Sequence, residues 1–296
     1  MSILTVANLS KSYGKIQALK NVSLTVPEGS VFGILGPNGS GKTTLLASIM
    51  DIVKPTSGSY QLFDETPTEK QRSRIGTLLE TPNFYHYLSG VKNLEIAAAV
   101  KQHGRSDIED VLKKVDLTAR KNSRFSTYSL GMKQRLAIAS CLLGNPGVLV
   151  FDEPTNGLDP VGIAEIRALM KRLHSEGKTI IMASHLLDEV EKVCTHVAIL
   201  RKGELIASGD VNEILSNEDM VELDAADPEK LRKVMEQMPG MTRVVRESGR
   251  TLVFFPVGAA NLESVNSHCF THGVVLNHLI LKKKSLEARF FELTNN

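Results

Sequence analysis

The chain has 296 residues, of which 42% are hydrophobic, so it is long enough for one large domain or two with a buried core. Lysine and arginine number 35 against 33 acidic residues, and the net charge of +2 does not indicate a nucleic-acid partner. No apolar run is long enough to span a membrane, and the N-terminus lacks a secretory signal, so we expect a soluble, cytoplasmic protein.

The first part of the chain predicts a phosphate-binding loop between a strand and a helix. Alternating residues at 3–9 and 20–26 indicate an antiparallel pair of strands, with Lys11–Lys20 between them. The apolar run Val31–Leu35 indicates a buried strand, and helical spacing begins at Leu45. The segment between them matches the pattern G-x-x-x-x-G-K-[ST]. It consists of Gly36, Pro37, Asn38, Gly39, Ser40, Gly41, Lys42, Thr43 and Thr44.

This segment, which we call the phosphate loop, suits a nucleoside triphosphate. Its glycines allow successive amide N–H groups to point at phosphate oxygens, reinforced by the positive end of the following helix. Lys42 would reach the β- and γ-phosphates, the Thr43 hydroxyl would ligate Mg²⁺, and Thr44 would lie near the α-phosphate.

The remaining pattern predicts an α/β protein with a mostly parallel sheet covered on both faces, because near-continuous apolar strands alternate with helices. The predicted strands are 59–63, 148–151, 179–183, 197–201, 204–209, 220–223, 244–246, 251–255 and 273–281. The predicted helices are 91–102, 108–115, 132–143, 162–175, 186–193, 228–238, 262–270 and 286–293.

These elements predict two domains. Residues 1–218 form the first, which carries an antiparallel β subdomain and an α-helical subdomain over about 80–144. Residues 219–296 follow the order β-α-β-β-α-β, which is typical of a small α+β ferredoxin-like domain.

Two further segments carry the chemistry expected beside bound phosphates. The strand that begins at Val148 ends in Asp152 and Glu153, about 110 positions after the phosphate loop. Asp152 would hold Mg²⁺, and Glu153 would act on the attacking water as general base. Ser129 and Gly131 open an apolar helix, where an N-cap and a close backbone approach suit an anion.

With these residues in view, the chain resembles the nucleotide-binding subunit of an ABC transporter. Residues 128–132 occupy the place of that family's Leu-Ser-Gly-Gly-Gln signature, with Leu130 and Met132 as departures. The resemblance implies a P-loop ABC ATPase domain that binds ATP and Mg²⁺, with Lys42, Glu153 and His185 as catalytic residues. It implies that Tyr13 stacks on adenine from a loop, that Asp159 belongs to the segment crossing to an opposing subunit, and that His185 contacts the γ-phosphate.

Glu80 stands where most of that family carries a glutamine linking Mg²⁺ and water to the membrane subunit. We expect Glu80 to be an ionised Mg²⁺ partner. With glutamate at this position and the run Ser-Leu-Gly-Met-Lys-Gln, the chain is similar to exporters of the ABC-2 type that confer self-protection against bacitracin or lantibiotics.

The resemblance also implies the working unit: an ATP-dependent homodimer, head to tail, driving an integral membrane permease from the inner face of the cell membrane. The aromatic segment 84–88 is predicted either to receive a short helix of that permease or to pack inside the helical subdomain. An alternative function is a soluble ABC ATPase acting on a non-transport macromolecular partner. An ATPase of that kind is expected to carry two nucleotide-binding halves in one chain.

Overall fold

The chain folds into two compact units, Met1–Gly209 and Asp210–Asn296, in a computed structural model. The structure describes residues 1–79, 83–215, 219–247, 249–256 and 258–282. The division falls before the boundary predicted at residue 218, because the short helix Val211–Leu215 clusters with the second unit. Within the described residues, no helix is both long enough and apolar enough to cross a bilayer.

The first unit contains two sheets. Its strands are β1 (Ser2–Tyr13), β2 (Ile16–Pro27), β3 (Val31–Leu35), β4 (Ser57–Leu62), β5 (Ile75–Leu78), β6 (Val148–Asp152), β7 (Thr179–Ser184), β8 (His196–Arg201) and β9 (Glu204–Asp210). β2, β1 and β4 form an antiparallel sheet. The larger sheet has the order β5-β6-β7-β3-β8-β9, and its registered pairs from β5 to β8 are parallel.

The helices of this unit are α1 (Lys42–Ile49), α2 (Glu69–Arg72), α3 (Gly90–Lys101), α4 (Ile108–Lys114), α5 (Leu130–Leu142), α6 (Pro160–Ser175) and α7 (Leu187–Val193). Short 3-10 turns occur at Arg105–Asp107, Thr118–Arg120 and Phe125–Thr127. β3, β6 and β7 are buried along their whole length, as expected of a parallel sheet covered on both faces. One hydrophobic core joins the two sheets around α1.

The first hairpin differs from its prediction. Both strands are longer than predicted: β1 runs to Tyr13 and β2 begins at Ile16, with a tight turn in which Gly14 has φ 59°. Tyr13 is therefore the last residue of a strand. Lys11 pairs with Leu19 and Ser12 with Gln17, so Ala18 is an extra residue on β2 and forms a β-bulge. Alternation stops at such a bulge, which is why the pattern ended early.

The second unit begins with α8 (Val211–Leu215) and contains β10 (Asp219–Ala225), α9 (Pro228–Met235), β11 (Arg243–Glu247), β12 (Arg250–Phe255), α10 (Leu262–Thr271) and β13 (Leu276–Lys282). Its sheet has the order β11-β12-β10-β13, and every pair is antiparallel. This is the topology of a ferredoxin-like unit. Alternate residues of β10, including Val221 and Leu223, form one core with α9 and α10. The predicted helix 286–293 lies outside the described residues.

Candidate active site

The phosphate loop connects the buried end of β3 to the start of α1, as the sequence predicts. Two of its glycines are required by close packing. A Cβ on Gly36 would lie 2.3 Å from the Leu200 carbonyl oxygen. Gly41 has φ +107°, and its Cβ would lie 2.6 Å from the carbonyl oxygen of Ala18, the bulge residue of β2. The loop is therefore shaped by contact with two neighbouring strands as well as by its own backbone freedom.

A third backbone contact fastens the same region. Gly203, in the turn between β8 and β9, donates its N–H to the Ser40 carbonyl at 3.0 Å and accepts from the Lys20 N–H at 2.8 Å. A Cβ on Gly203 would meet the Ala18 carbonyl oxygen at 2.7 Å. The phosphate loop, β2 and the β8–β9 turn are thus joined through main-chain atoms at one junction.

Lys42, Glu153 and His185 meet beside this loop. The Lys42 side chain is only 6% exposed, and its ammonium donates to the Gly36 carbonyl at 2.8 Å and the Pro37 carbonyl at 3.3 Å. It lies 3.5 Å from Glu153 Oε1, while Glu153 Oε2 lies 2.8 Å from His185 Nδ1. Because a buried charge needs partners, these contacts hold the ammonium in place.

The ends of two adjacent parallel strands bring the acid and the histidine together. Glu153 directly follows β6, and His185 directly follows β7. The Glu153 N–H donates to the Ala183 carbonyl at 3.0 Å, and Glu153 itself has φ 48°. A positive φ is uncommon for a residue with a side chain, and such strain concentrates at functional sites. Asp152, one position earlier, is 8% exposed.

A cavity of about 720 Å³ opens above the phosphate loop, and we call it the phosphate-loop cavity. Its lining combines predicted site residues with others that sequence reasoning missed. The predicted ones are Tyr13, Asn38, Gly39, Ser40, Gly41, Lys42, Thr43, Thr44 and Glu153. The missed ones are Ile16, Gln17, Ala18, Lys20 and Lys202. No local motif marks this second group; only the register of the hairpin and the Lys202–Gly203 turn brings them to the cavity.

The donors at this cavity fit a triphosphate and Mg²⁺. The buried Ser40 hydroxyl has no hydrogen-bond partner within the described part of the chain. Thr43 lines this cavity, and Asp152 directly precedes the lining residue Glu153; hydroxyl and carboxylate oxygens are hard ligands of the kind that Mg²⁺ prefers. The described residues contain no cluster of three His, Cys, Asp or Glu side chains suited to a metal.

Three further predicted residues, Ser129, Gly131 and Asp159, line a separate cavity of about 440 Å³, which we call the signature cavity. Ser129 caps α5 by accepting from the Met132 N–H at 3.3 Å, and Asp159 caps α6 by accepting from the Gly162 N–H at 2.8 Å. Gly131, in the first turn of α5, also lines this cavity. Among the described residues, none lines both cavities. Glu80 lies outside the described residues.

Comparison with known proteins decides the family. The ABC transporter family model matches residues 19–156. The bacitracin transport ATP-binding protein BcrA of Enterococcus faecalis is 33% identical over 98% of this chain and 96% of that protein. The chain belongs to the ABC transporter family. The lantibiotic transport ATP-binding protein SrtF of Streptococcus pyogenes is 37% identical over 74% of this chain and 99% of its own length.

Solved structures of ABC ATP-binding subunits share the fold. CbiO1 of Clostridium perfringens, part of an ABC transporter complex, has a TM-score of 0.66 and 31% identity over 80% of this chain and 96% of that one. The ATP-binding cassette MJ0796, dimeric and bound to ADP and phosphate, has a TM-score of 0.62 and 29% identity over 70% of this chain and 98% of its own. The resemblance and the α/β fold are therefore confirmed. This ABC subunit is an ATPase.

Proposed function

We propose that this ABC subunit powers an exporter of the ABC-2 type, closing head to tail with a second copy on ATP and driving a separate membrane permease. The names of its relatives support export, since BcrA and SrtF are called bacitracin and lantibiotic transport proteins. These names favour a transporter over the alternative of a soluble ATPase with a non-transport partner. A subunit that drives a permease with cellular ATP would work at the inner face of the cell membrane.

One observation carries the catalytic part of the proposal: a carboxylate in the lining of the phosphate-loop cavity contacts both an ammonium of that lining and an imidazole. Glu153 lies 3.5 Å from Lys42 Nζ through one oxygen and 2.8 Å from His185 Nδ1 through the other. In the proposed reaction, Glu153 takes a proton from the attacking water, and His185 contacts the γ-phosphate. Lys42 and the loop amides neutralise charge that develops on the phosphate oxygens.

Further residues would hold the nucleotide and metal. Tyr13 would stack on adenine at the rim of the cavity, and Thr43, Asp152 and Glu80 would hold Mg²⁺. Bound Mg²⁺ supplies positive charge at the phosphate oxygens. The signature cavity of the second copy would complete each site, with the Ser129 and Gly131 helix end facing the γ-phosphate and Asp159 positioning the adjoining segment.

The decisive experiment replaces the proposed base without changing its shape. Glu153→Gln should lower the rate of ATP hydrolysis by about 10²–10⁴-fold, because an amide cannot accept the proton, while ATP still binds. Phosphate release and equilibrium ATP binding measure the two effects. Glu176→Gln is the matched control, because Glu176 pairs with Lys114 and lines neither cavity. Hydrolysis by Glu153→Gln at a rate close to that of the control would contradict the proposal.

A further inference from the structure

The Lys11 ammonium lies over the ring of Tyr13, 4.9 Å from its centroid. Both residues belong to β1, and side chains two positions apart on a strand lie on the same face. At this distance a cation is attracted by the negative face of an aromatic ring. One face of the Tyr13 ring therefore has a defined neighbour.

That neighbour is held in place from a second direction. Lys11 Nζ donates to the Lys54 carbonyl at 2.8 Å, in the segment between α1 and β4. The same segment is fastened to β1 by Thr56, which donates its N–H to the Ser10 carbonyl at 2.8 Å and accepts from the Ser12 N–H at 3.0 Å. The ammonium is thus an anchored contact and not a freely rotating surface charge.

Tyr13 also lies at the phosphate-loop cavity. Tyr13 lines the phosphate-loop cavity and is 48% exposed, whereas Lys11 does not line it. Ile16, which pairs with Tyr13 across the turn, lines the same cavity and is 71% exposed. Tyr13 therefore contacts Lys11 and is also half-exposed at the cavity, beside the apolar side chain of Ile16.

We propose that Lys11 is a positioning residue for the nucleotide base: it fixes the Tyr13 ring so that the open face stacks on adenine. This rests on the proposed role of Tyr13. Because an exposed cation–π contact is weak, removing it should weaken nucleotide binding by about two- to fivefold. The effect should depend on the base, since Lys11 does not line the cavity that holds the phosphates.

The absence of tryptophan from the chain allows a direct test. Tyr13→Trp introduces a single tryptophan whose emission reports contact with the base, and ADP is titrated into this variant. Lys11→Met and Lys11→Arg are then added separately. Lys15→Met is the matched control, because it removes the same charge from the neighbouring turn, where Lys15 lies outside the cavity lining. Inorganic tripolyphosphate, which has no base, is measured by competition against ATP hydrolysis in chains that keep Tyr13.

We expect Lys11→Met to raise the Kd for ADP and the KM for ATP by about two- to fivefold, with kcat and the inhibition constant of tripolyphosphate unchanged. Lys11→Arg should restore binding, because a guanidinium also interacts with an aromatic face. Equal effects of Lys11→Met and Lys15→Met, or a matching loss of tripolyphosphate affinity, would overturn the positioning role alone. Emission that does not respond to ADP, in a chain that still hydrolyses ATP, would overturn the stacking role of Tyr13 and this inference with it.

Discussion

Position 41 of the active site requires glycine, the residue without a side chain. Its backbone has φ +107°, and a Cβ would lie 2.6 Å from the Ala18 carbonyl oxygen and 2.9 Å from Leu19 Cδ2. Gly39, in the same loop, also has a positive φ of +79°, but nothing lies within 4 Å of its would-be Cβ. Comparing the two positions therefore separates the cost of an unfavourable backbone conformation from the cost of a steric clash.

Gly41→Ala should destabilise the chain more than Gly39→Ala. We expect Gly39→Ala to cost about 1 kcal/mol for the unfavourable backbone conformation. Gly41→Ala should cost about 2–4 kcal/mol, because β2 must also move. Urea unfolding of both variants measures the difference, and the KM for ATP should rise further in Gly41→Ala. Equal losses of stability would show that contact with β2 does not constrain the loop.

At the scale of elements, the segment before α3 divides its aromatic side chains between two environments. Phe84 packs edge to face on Phe125, with ring centroids 5.2 Å apart. Tyr85 and Tyr87 contact each other at 5.9 Å, and they are 49% and 69% exposed. The two interpretations offered by the sequence thus apply to different residues: Phe84 packs within the unit, while the two tyrosines remain available to a partner.

Replacing both tyrosines should separate ATP hydrolysis from transport. In the double variant Tyr85→Ala, Tyr87→Ala, we expect basal ATPase activity to persist, because neither residue lines either cavity. Binding of the permease and cargo export should fall, since exposed aromatic residues often supply the central contacts of an interface. Measurement of ATPase rate, permease copurification and export tests this. Loss of basal activity instead would favour a packing role for the pair.

The sheet of the second unit holds a carboxylate surrounded by cations. Glu222 on β10 has a side chain only 8% exposed, and it accepts hydrogen bonds from Lys282 and Arg250 and contacts His278 at 2.8 Å. The hydrogen bond from Lys282 is the main cause that lowers the Glu222 pKa from 4.5 to about 2; burial opposes it, and Arg250 and His278 add to the lowering. Because the folded pKa is depressed, the ionised Glu222 stabilises the fold above its ordinary pKa, and this contribution is lost as the pH falls toward 2.

Glu222→Gln should therefore destabilise the protein at about pH 6 by about 2 kcal/mol, and by less at about pH 3. Urea unfolding at both pH values measures the change. Asp224→Asn is the matched control, because Asp224 lies two positions along the same strand and its carboxylate accepts only from the following Ala225 N–H at 3.0 Å among the contacts that the structure describes. A loss of stability that does not change with pH would contradict the ionic role of Glu222.

Contiguous motifs could be predicted from the sequence, and long-range register could not. The phosphate loop and the pair Asp152–Glu153 are runs of neighbouring residues, so their chemistry is visible in one dimension. The sequence did not predict strand β5, because it has only four residues and one of them is glycine. Glycine is required at Gly76, since a Cβ there would lie 2.3 Å from the Cys141 carbonyl oxygen. Likewise α5 begins at Leu130 and not Met132, because the Ser129 cap fixes its first turn. Lys202 belongs to no motif in the sequence, and only the folded β8–β9 turn brings it to the phosphate-loop cavity.

For the whole molecule, the separation of the two cavities has a direct consequence. Within the part of the chain that the structure describes, the phosphate-loop cavity and the signature cavity have no lining residue in common, so a change in one can leave the other intact. In the proposed head-to-tail dimer of two identical chains, each cavity would meet its counterpart on the partner, an arrangement expected of a closed symmetric dimer. ATP bound between them would favour the closed state, because it contacts both chains.

Ser129→Arg should therefore prevent dimerisation without weakening the binding of ATP to the monomer. In a Glu153→Gln background, sedimentation with ATP and Mg²⁺ should show a dimer, and adding Ser129→Arg should abolish it. Ser175→Arg is the control, because Ser175 is exposed at the end of α6 and lines neither cavity. A dimer that persists in the Ser129→Arg chain would argue against head-to-tail pairing through this helix end.

The main-chain junction at Gly203 restricts how the enzyme can move. The Gly203 N–H and carbonyl group connect the Ser40 carbonyl to the Lys20 N–H, and the Ala18 bulge fills the space between Gly41 and Gly203. The part of β2 that lines the cavity and the phosphate loop are consequently joined through main-chain contacts, so we expect them to move together. In the proposed cycle, we therefore expect opening and closing at the boundary between the two copies or within the α-helical subdomain, while the phosphate loop, β2 and the β8–β9 turn move together with the nucleotide.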